Sequence, residues 1–593
     1  MKPTAIPTFV PKCHPLFCSL ICLQLISFTL LAQTTSEETA NEDIEVITVV
    51  AERVERTLQD ISSSITVVSA EDLKLVGGKT LIDAAALAPN VIVQNQGGRT
   101  GTYFYTRGIG RSELNFPIVS VNVNGVALPD PSFFGLDLDA AESVEFLRGP
   151  QGTLYGQNTL GGVINIQLKK PDELFAGDID IQFAERSHQE ASVRLSGPIT
   201  QNTFLSGSLL HRDVEGYIFN PTTNSTQNDE QTLGGSLYLI SQLTSNLSLE
   251  VNYFTQSRDD GLPQFAQRSN PFEITNNAPT QEETDSNIYG IKLEYDFDSF
   301  SLISQTGFSD ISRFTENDLD FSPISAAFAT AQSDIEQWSQ EFRIAGGTKN
   351  LSYQAGLYAS GLDNDFDVFI FDEAAQFGFG IPAVINDLIA FSDKTKAVFG
   401  QINWQQNRLE LIFGLRYQSQ DLETDNLNSL SAFVNGIGSP PLVPPTMLSA
   451  EDSVDEWLPR LSINYSVQDD LNLYGTISKG MRPGGFNDTA LSAELLGINL
   501  PTSFGPEFTT NYEVGVKWRL PNQFGRVDAA MYYIDWSDLQ TEQIAPGTLF
   551  DFRTNAASAT SKGIEVEMRL FPHPFIEIGL SGGYANAEYD EFV

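Results

Sequence analysis

From about residue 177 onward the chain is built of segments of roughly 9 to 12 residues in which apolar and polar side chains alternate strictly. In NLSLEVNYF, Leu247, Leu249, Val251 and Tyr253 fall on one face, while Ser248, Glu250 and Asn252 fall on the other. In TNYEVGVKWRL the apolar set Tyr512, Val514, Val516, Trp518 and Leu520 stands opposite Glu513, Lys517 and Arg519. GIEVEMRL repeats the pattern, with Ile564, Val566, Met568 and Leu570 against Glu565, Glu567 and Arg569. About 17 such segments can be counted. A soluble sandwich also alternates, but with shorter strands whose apolar face a second sheet covers. Strands this long suit a tilted crossing of a bilayer, which makes the fold class a membrane β-barrel. Turn lengths agree: GPITQNT, QLTSN and GGTKN are tight, whereas 258–285, 312–333, 361–394 and 419–453 read as long polar loops. Every backbone donor in lipid must be paired, so the sheet is expected to close on itself. A barrel of this many strands encloses a lumen its own side chains cannot fill, leaving an open channel or a plug.

The N-terminal part follows other patterns. LFCSLICLQLISFTLLA (16–32), preceded by Lys2 and Lys12 and followed by polar QTTSEETANED, reads as a secretory signal over 1–32 with cleavage near Ala32. An uncleaved membrane anchor is the alternative. Residues 33–53 read as an acidic, disordered lead-in that ends in the β-prone IEVITVVAER (44–53). Two helices are expected next: Ser69 can cap AEDLKLV with Asp72, and Thr80 can cap LIDAAALA with Asp83. Short strands follow in NVIVQN, TYFYTRGI, PIVSVNVNGVAL and SVEFLRG, so residues 45–171 form one compact α+β domain. It stands just upstream of the barrel and is the candidate plug.

Composition narrows the function. Cys13, Cys18 and Cys22 all lie in or just before the signal, so disulfide and thiol chemistry are excluded from the exported product. Removing Lys2 and Lys12 takes the net charge from -42 to -44, which excludes a nucleic-acid partner, because phosphate recognition needs a basic footprint. With no cysteine and only His188, His211 and His573 beyond the signal, no nucleophile–base–orienter set can be assembled; the chain does not read as an enzyme, and no cofactor is expected. Asp363, Asp365 and Asp367 have calcium-loop spacing, but Val368 stands where glycine is required and Ala374 where the closing carboxylate belongs; an acidic solvated loop is the better reading, and no metal site is expected.

One stretch, RGPQGTLYGQNTLGGVINI (148–166), invites a phosphate-loop reading. Gly156 and Gly161 have the Walker A offset, but Gly162 and Val163 stand where lysine and serine or threonine must be, and strand-like GGVINIQLKK follows in place of a helix. Its glycines instead suit backbone packed tightly inside a barrel wall. Arg148 would then be a buried charge in need of a partner, with Glu513 and Glu341 as candidates by strand parity. A solvated arginine on a turn is the plain alternative.

VEFLRGPQGTLYGQNTLGGVINI resembles the plug signature of the TonB-dependent outer-membrane receptors, carried here by Gly149, Gly152, Tyr155, Gly156, Gly161 and Gly162. IEVITVVAER resembles the TonB box, LIDAAALAPNVIV the early plug helix, TRGIG the plug's arginine–glycine motif and VSVNVNGVAL its central strand. YGTISKGMRPGGFN, PEFTTNYEVGVKWRL and NAASATSKGIEVE are similar to late-barrel motifs, so the resemblance spans 44–593. It implies a plug over 54–172 inside an antiparallel barrel over 173–593, nominally of about 22 strands. It also implies active import of a scarce ligand, most often a ferric siderophore, with vitamin B12, haem, nickel chelates or glycans as other cargo. The implied partners are the inner-membrane TonB complex, the chelate and outer-membrane lipids, with the receptor a monomer in the Gram-negative outer membrane. Residues Ile44, Glu45, Val46, Ile47, Thr48, Val49 and Val50 would pair with TonB as an added strand. Arg107 and Arg148 match plug arginines that pair with barrel carboxylates, of which Glu513 matches one. Ligand contacts are expected at Arg99, Tyr103, Phe133 and Phe134, judged from exposure and from the fit of aromatic and arginine groups to flat chelates. About 17 strands falls short of the family number and YDEFV is not its usual aromatic ending, so a fragment or frameshifted product lacking about five strands is expected. A passive porin or adhesin, which would have neither box nor plug, is the alternative from another class.

Overall fold

The computed structural model describes residues 48–49, 53, 56–95, 99, 102–110, 117–128, 130, 134–262, 265–278, 280–373, 382–434, 437–487, 490, 493, 498–546 and 551–592. The expected signal, residues 44–47 and 50 of the box, and Phe133 lie outside these.

Alternation builds one 17-stranded antiparallel sheet, in sequence order from Ala176–Ala184 to Ile576–Phe592. The strand number matches the count of alternating segments. Polarity is inverted relative to a soluble protein: in Glu507–Leu520, Glu513 and Lys517 are 3% and 2% exposed, whereas Val514 is 60% exposed. The outward face is apolar, as lipid requires, and the inward face is polar.

The strands reach much further than expected. Leu351–Asp372, Ala383–Gln406, Leu409–Val434 and Ile437–Gln468 run through most of 361–394 and 419–453, the stretches read as loops. Similarly, 258–261, 281–285, 312–318 and 327–333 belong to strands. Beyond the apolar band both faces of a hairpin are wet, so alternation fades while backbone pairing continues. Asp363, Asp365 and Asp367 therefore stand exposed along the strand Leu351–Asp372, outside any loop. The tight turns fall where expected, at 201–202, 243–246 and 349–350, all on the short-turn end of the sheet.

Inside the sheet sits the α+β domain. Its five-stranded sheet has the order Ile65–Ser69, Ala141–Arg148, Gly162–Leu168, Val119–Val123, Val126–Leu128. Helix α1, Ala70–Val76, carries the reciprocal Ser69–Asp72 cap, and α2, Leu81–Ala85, the Thr80–Asp83 cap. The second is shorter than LIDAAALA suggested. Val121, Val144, Ile164 and Ile166 form the core, which continues into the inward-facing wall residues Ile288, Ile311, Ile335 and Ile534. The domain hydrogen-bonds to the wall at Glu190, Asp260, Asp393, Leu458 and Glu567, so the large sheet wraps around it. The expected closure is not made among the described residues: Ala176–Ala184 and Ile576–Phe592 are the two edges of the sheet and do not pair with each other.

Candidate functional site: plug, wall and lead-in

Arg148 ends the strand Ala141–Arg148, and the chain turns at once through Gly149, whose φ is +80°. A Cβ there would lie 2.9 Å from Nη1 of Arg107, so the missing side chain is what admits the second guanidinium. The short helix α3, Gly152–Tyr155, then approaches the wall so closely that a Cβ on Gly152 would lie 2.6 Å from the Lys479 carbonyl oxygen. Gly161 accepts from Gly149 N–H and donates to the Ile118 carbonyl, both at 2.9 Å; Gly156 and Gly162 continue the turn at positive φ. This glycine framework places two arginines side by side.

Arg107 is fully buried, on a left-handed turn with φ of 57°. It donates through Nε and Nη2 to the two oxygens of Glu565 at 2.9 and 2.8 Å, and its Nη1 forms an ion pair with Glu513 at 2.7 Å. Tyr532 lies beneath it, 4.2 Å from ring centroid to Cζ. Arg148 donates to Glu567 at 2.6 Å, lies 3.2 Å from Glu565, and donates to Thr66, Pro89 and Ser64 at 2.8, 3.1 and 2.8 Å. Glu513 also accepts from Ser64 N–H and Tyr474 Oη, each at 2.8 Å. Burial lowers the pKa of each guanidinium, but Glu513 and Glu565 for Arg107, and Glu565 and Glu567 for Arg148, outweigh it and leave both raised. Both therefore stay charged.

The pairing follows from register. Glu513 stands opposite Tyr532 and Glu565 opposite Ala530, so the two carboxylates flank the strand Gly525–Ile544 two residues apart, on its inward face. Glu565 and Glu567 lie on the polar face of GIEVEMRL, but nothing local in the sequence joins them to the arginines. Glu341, a candidate for Arg148, lies instead with Arg53 at 3.2 Å and Arg343 at 3.1 Å.

A second ion network joins the plug to the strands His188–Thr200, Thr203–Val214 and Leu247–Gly261 near the long-loop end. Arg99 donates to both oxygens of Asp260 at 2.8 and 2.6 Å and lies 3.3 Å from Asp137. Arg212 bonds Asp137 and Glu190, and Lys79 reaches Glu190 at 2.6 Å. This alters the expectation for ligand contacts, which rested on exposure. Arg99 is buried in ion pairs, Tyr103 is buried, and Phe134 lies in the core, edge-on to Phe104 at 5.3 Å.

The described part of the segment that resembles the box, Thr48–Val49, is docked. Thr48–Val49 pairs antiparallel with Arg56–Thr57, and Val49 is fully buried among Leu58, Ile61, Ile65, Leu147 and Val163. Arg53 and Arg56, which sequence reasoning passed over, tie this lead-in down. Arg53 Nε donates to the Leu154 carbonyl at 3.2 Å, its guanidinium covers the Tyr155 ring at 4.6 Å, and Arg56 donates to both oxygens of Glu410 at 2.9 Å. Burial pushes the Tyr155 phenol up to about 12, against the opposing pull of Arg53.

A barrel with an apolar exterior, filled by a domain held through buried ion pairs, defines a plugged membrane barrel. Residues 57–163 match the TonB-dependent Receptor Plug Domain and residues 232–592 the TonB dependent receptor-like beta-barrel. The chain belongs to the TonB-dependent receptor family, whose members are outer-membrane β-barrels acting as transport receptors. It is 26% identical over 588 residues to the pesticin receptor of Yersinia enterocolitica, covering 94% of this chain and 80% of that protein. It is also 26% identical over 246 residues to a vitamin B12 transporter of Vibrio vulnificus, covering 41% and 40%. Among solved structures, the ferric yersiniabactin uptake receptor of Yersinia pestis superposes with a TM-score of 0.77 at 21% identity, covering 90% of this chain and 80% of that one. The unliganded ferric citrate transporter gives 0.69 at 14%, covering 90% and 79%.

Proposed function

We propose that this protein imports a ferric siderophore across the outer membrane, using force delivered through TonB. The observation that carries this reading is the docked lead-in: a β-prone segment packed on the plug through Val49, paired with Arg56–Thr57 and tied to the wall by Arg53, at the end of the sheet where the turns are short. A segment in that place can leave, pair as an added strand with a periplasmic partner, and transmit a pull to the plug. The Arg107 and Arg148 pairs then act as the latch that holds the plug until it is pulled. Siderophore cargo is supported by the relatives named for ferric yersiniabactin and ferric citrate. The energy source must lie in the inner membrane, because the outer membrane has no nucleotide supply.

The test is iron-55 uptake by receptor-deficient cells expressing this chain, supplied with ferric yersiniabactin, ferric citrate and a hydroxamate chelate, with labelled vitamin B12 in parallel. Uptake of one iron chelate above the vector control supports the reading. Uptake of vitamin B12 alone would replace the cargo, and uptake of none of these would remove it.

A further inference from the structure

The plug does not meet the wall evenly. Along Leu471–Arg482, Glu507–Leu520 and Asp551–His573 the two are in direct contact. Gln59 donates to the Lys517 carbonyl at 2.8 Å, Thr476 donates to the Ser62 carbonyl at 2.6 Å, and Glu513, Lys517 and Glu565 are buried. Along the strands from Glu230–Gln242 to Leu409–Val434 the plug stands off at the short-turn end and leaves a cavity of about 860 Å³. That is the size of a small-molecule site, far beyond a packing void. Its lining places Gln305, Gln401, Asn403 and Gln405 beside side chains of both charge signs, which suits a hydrogen-bonding solute and not an apolar one.

Away from the short turns the cavity is bordered by the plug turn Asn124–Gly125, which joins Val119–Val123 to Val126–Leu128. Both turn residues have positive φ, 46° and 82°, as a two-residue type I′ hairpin requires. A Cβ on Gly125 would lie 2.3 Å from Nε2 of Gln305, so the glycine is what lets Gln305 donate to the Asn124 carbonyl at 2.9 Å. Beside it Val126 packs on Gly307, where a Cβ would lie 2.9 Å from Cγ1 of the valine. Further from the short turns, Val126 and Leu128 belong to the apolar cluster that includes Ile288, Ile311 and Ile335 of the wall. The described contacts of this edge with the wall are thus neutral, unlike the buried ion pairs at Glu513, Glu565 and Asp260. Val126–Leu128 is also the edge strand of the plug sheet, paired through three residues to Val119–Val123. Such an element opens at lower cost than one whose departure leaves buried charges without partners.

We propose that the cargo crosses the barrel on this side, with the turn Asn124–Gly125 and the edge strand Val126–Leu128 as the gate and the cavity as the vestibule entered before exit at the short-turn end. The proposal rests on the import reading. At rest the apolar seam along Ile288, Ile311 and Ile335 bars polar solutes from the vestibule. Displacement of the edge strand opens that seam into the cavity while α3 keeps its place on the wall.

The test ties the gate shut. The chain beyond residue 32 has no cysteine, so Val126→Cys with Gly307→Cys makes a unique pair. Their β carbons come to about 4 Å, within the reach of a disulfide. With the bond formed, surface binding of the chelate selected by the uptake panel should persist, and iron-55 accumulation should fall about tenfold, returning on reduction. Thr153→Cys with Gly414→Cys, where a Cβ on Gly414 would lie 2.8 Å from Cγ2 of Thr153, ties α3 to the wall instead and should leave accumulation at the parent rate. Parent-rate accumulation with the gate tied, or equal loss from both ties, would overturn the proposal. Should either pair fail to assemble, judged by heat-modifiable gel mobility, Ser301→Trp with Asn403→Trp narrows the vestibule itself. Accumulation should then fall about threefold with binding unchanged, whereas Ile402→Trp, on the outward face, should have no effect. No difference between these variants would equally overturn the route. Failure of the parent to accumulate any chelate would sink the import reading and the route together, and parent uptake indifferent to the gate tie would sink the route alone.

Discussion

Glu565 accepts from Arg107 through both oxygens and lies 3.2 Å from Arg148, so a single carboxylate answers two buried cations. Removing one partner of such a group is far more costly than the pair is stabilising, because the other charge stays buried, at about 3 to 5 kcal/mol. Arg148→Ala should therefore loosen the plug: hydrogen exchange in Ala141–Arg148 should quicken while chelate binding at the outer face persists. Loss of that binding with assembly intact would contradict the proposed latch. Tyr155 gives a pH test. Its folded-state phenol titrates at about 12, above its ordinary value, mainly because it is buried, so the folded state holds the proton longer than the unfolded chain. That contribution is complete below the unfolded value near 10 and is lost as pH rises through about 12. The denaturation midpoint of Tyr155→Phe should fall less steeply than that of the parent between those limits, and parallel curves would show that Tyr155 is not the group responsible.

At the scale of elements, the two-residue strand Thr48–Val49 is held more by burial than by hydrogen bonds. Burying Val49 is worth about 1.5 to 2 kcal/mol, so Val49→Asp should release the lead-in and expose residues near Arg53 to added protease without unfolding the barrel. An unchanged cleavage pattern would mean that Arg53 and Arg56 suffice to hold it. Gly152→Val tests the close approach of α3 to the wall: a side chain 2.6 Å from the Lys479 carbonyl must displace one of the two, at about 1 to 3 kcal/mol. The expected result is a lower yield of heat-modifiable receptor. Legibility in the sequence also divides at this scale. Helix α1 could be read to the residue because Ser69 and Asp72 cap it locally, and the strands because lipid enforces alternation. The docking of Thr48–Val49 depends on Arg56–Thr57 and on a cluster drawn from Leu147 and Val163, and no local pattern announces such a partner. The wet hairpins beyond Asp363 were misread as loops for a related reason, since period 2 is visible only where the two faces meet different solvents.

For the whole molecule, inverted polarity is the organising fact: Glu513 and Lys517 face the plug, while Val514 and Trp518 face outward. Val514→Arg should destabilise the assembled barrel by about 2 to 4 kcal/mol, measurable as a lower urea midpoint in lipid vesicles, whereas a change of similar size on the inward face should alter plug retention more than barrel stability. Arg148 could be named from the sequence as a charge needing a partner, but its partners lie some four hundred residues away and only the register of three strands brings Glu565 and Glu567 to it. Under the proposed function, latch and docked lead-in act as one pulled device. Its most direct test is iron-55 accumulation, from whichever chelate the uptake panel selects, in cells expressing the parent or a chain lacking residues 44–50. The account predicts equal binding of the chelate at the cell surface and loss of accumulation in the deletion; accumulation at the parent rate with the lead-in segment gone would contradict it.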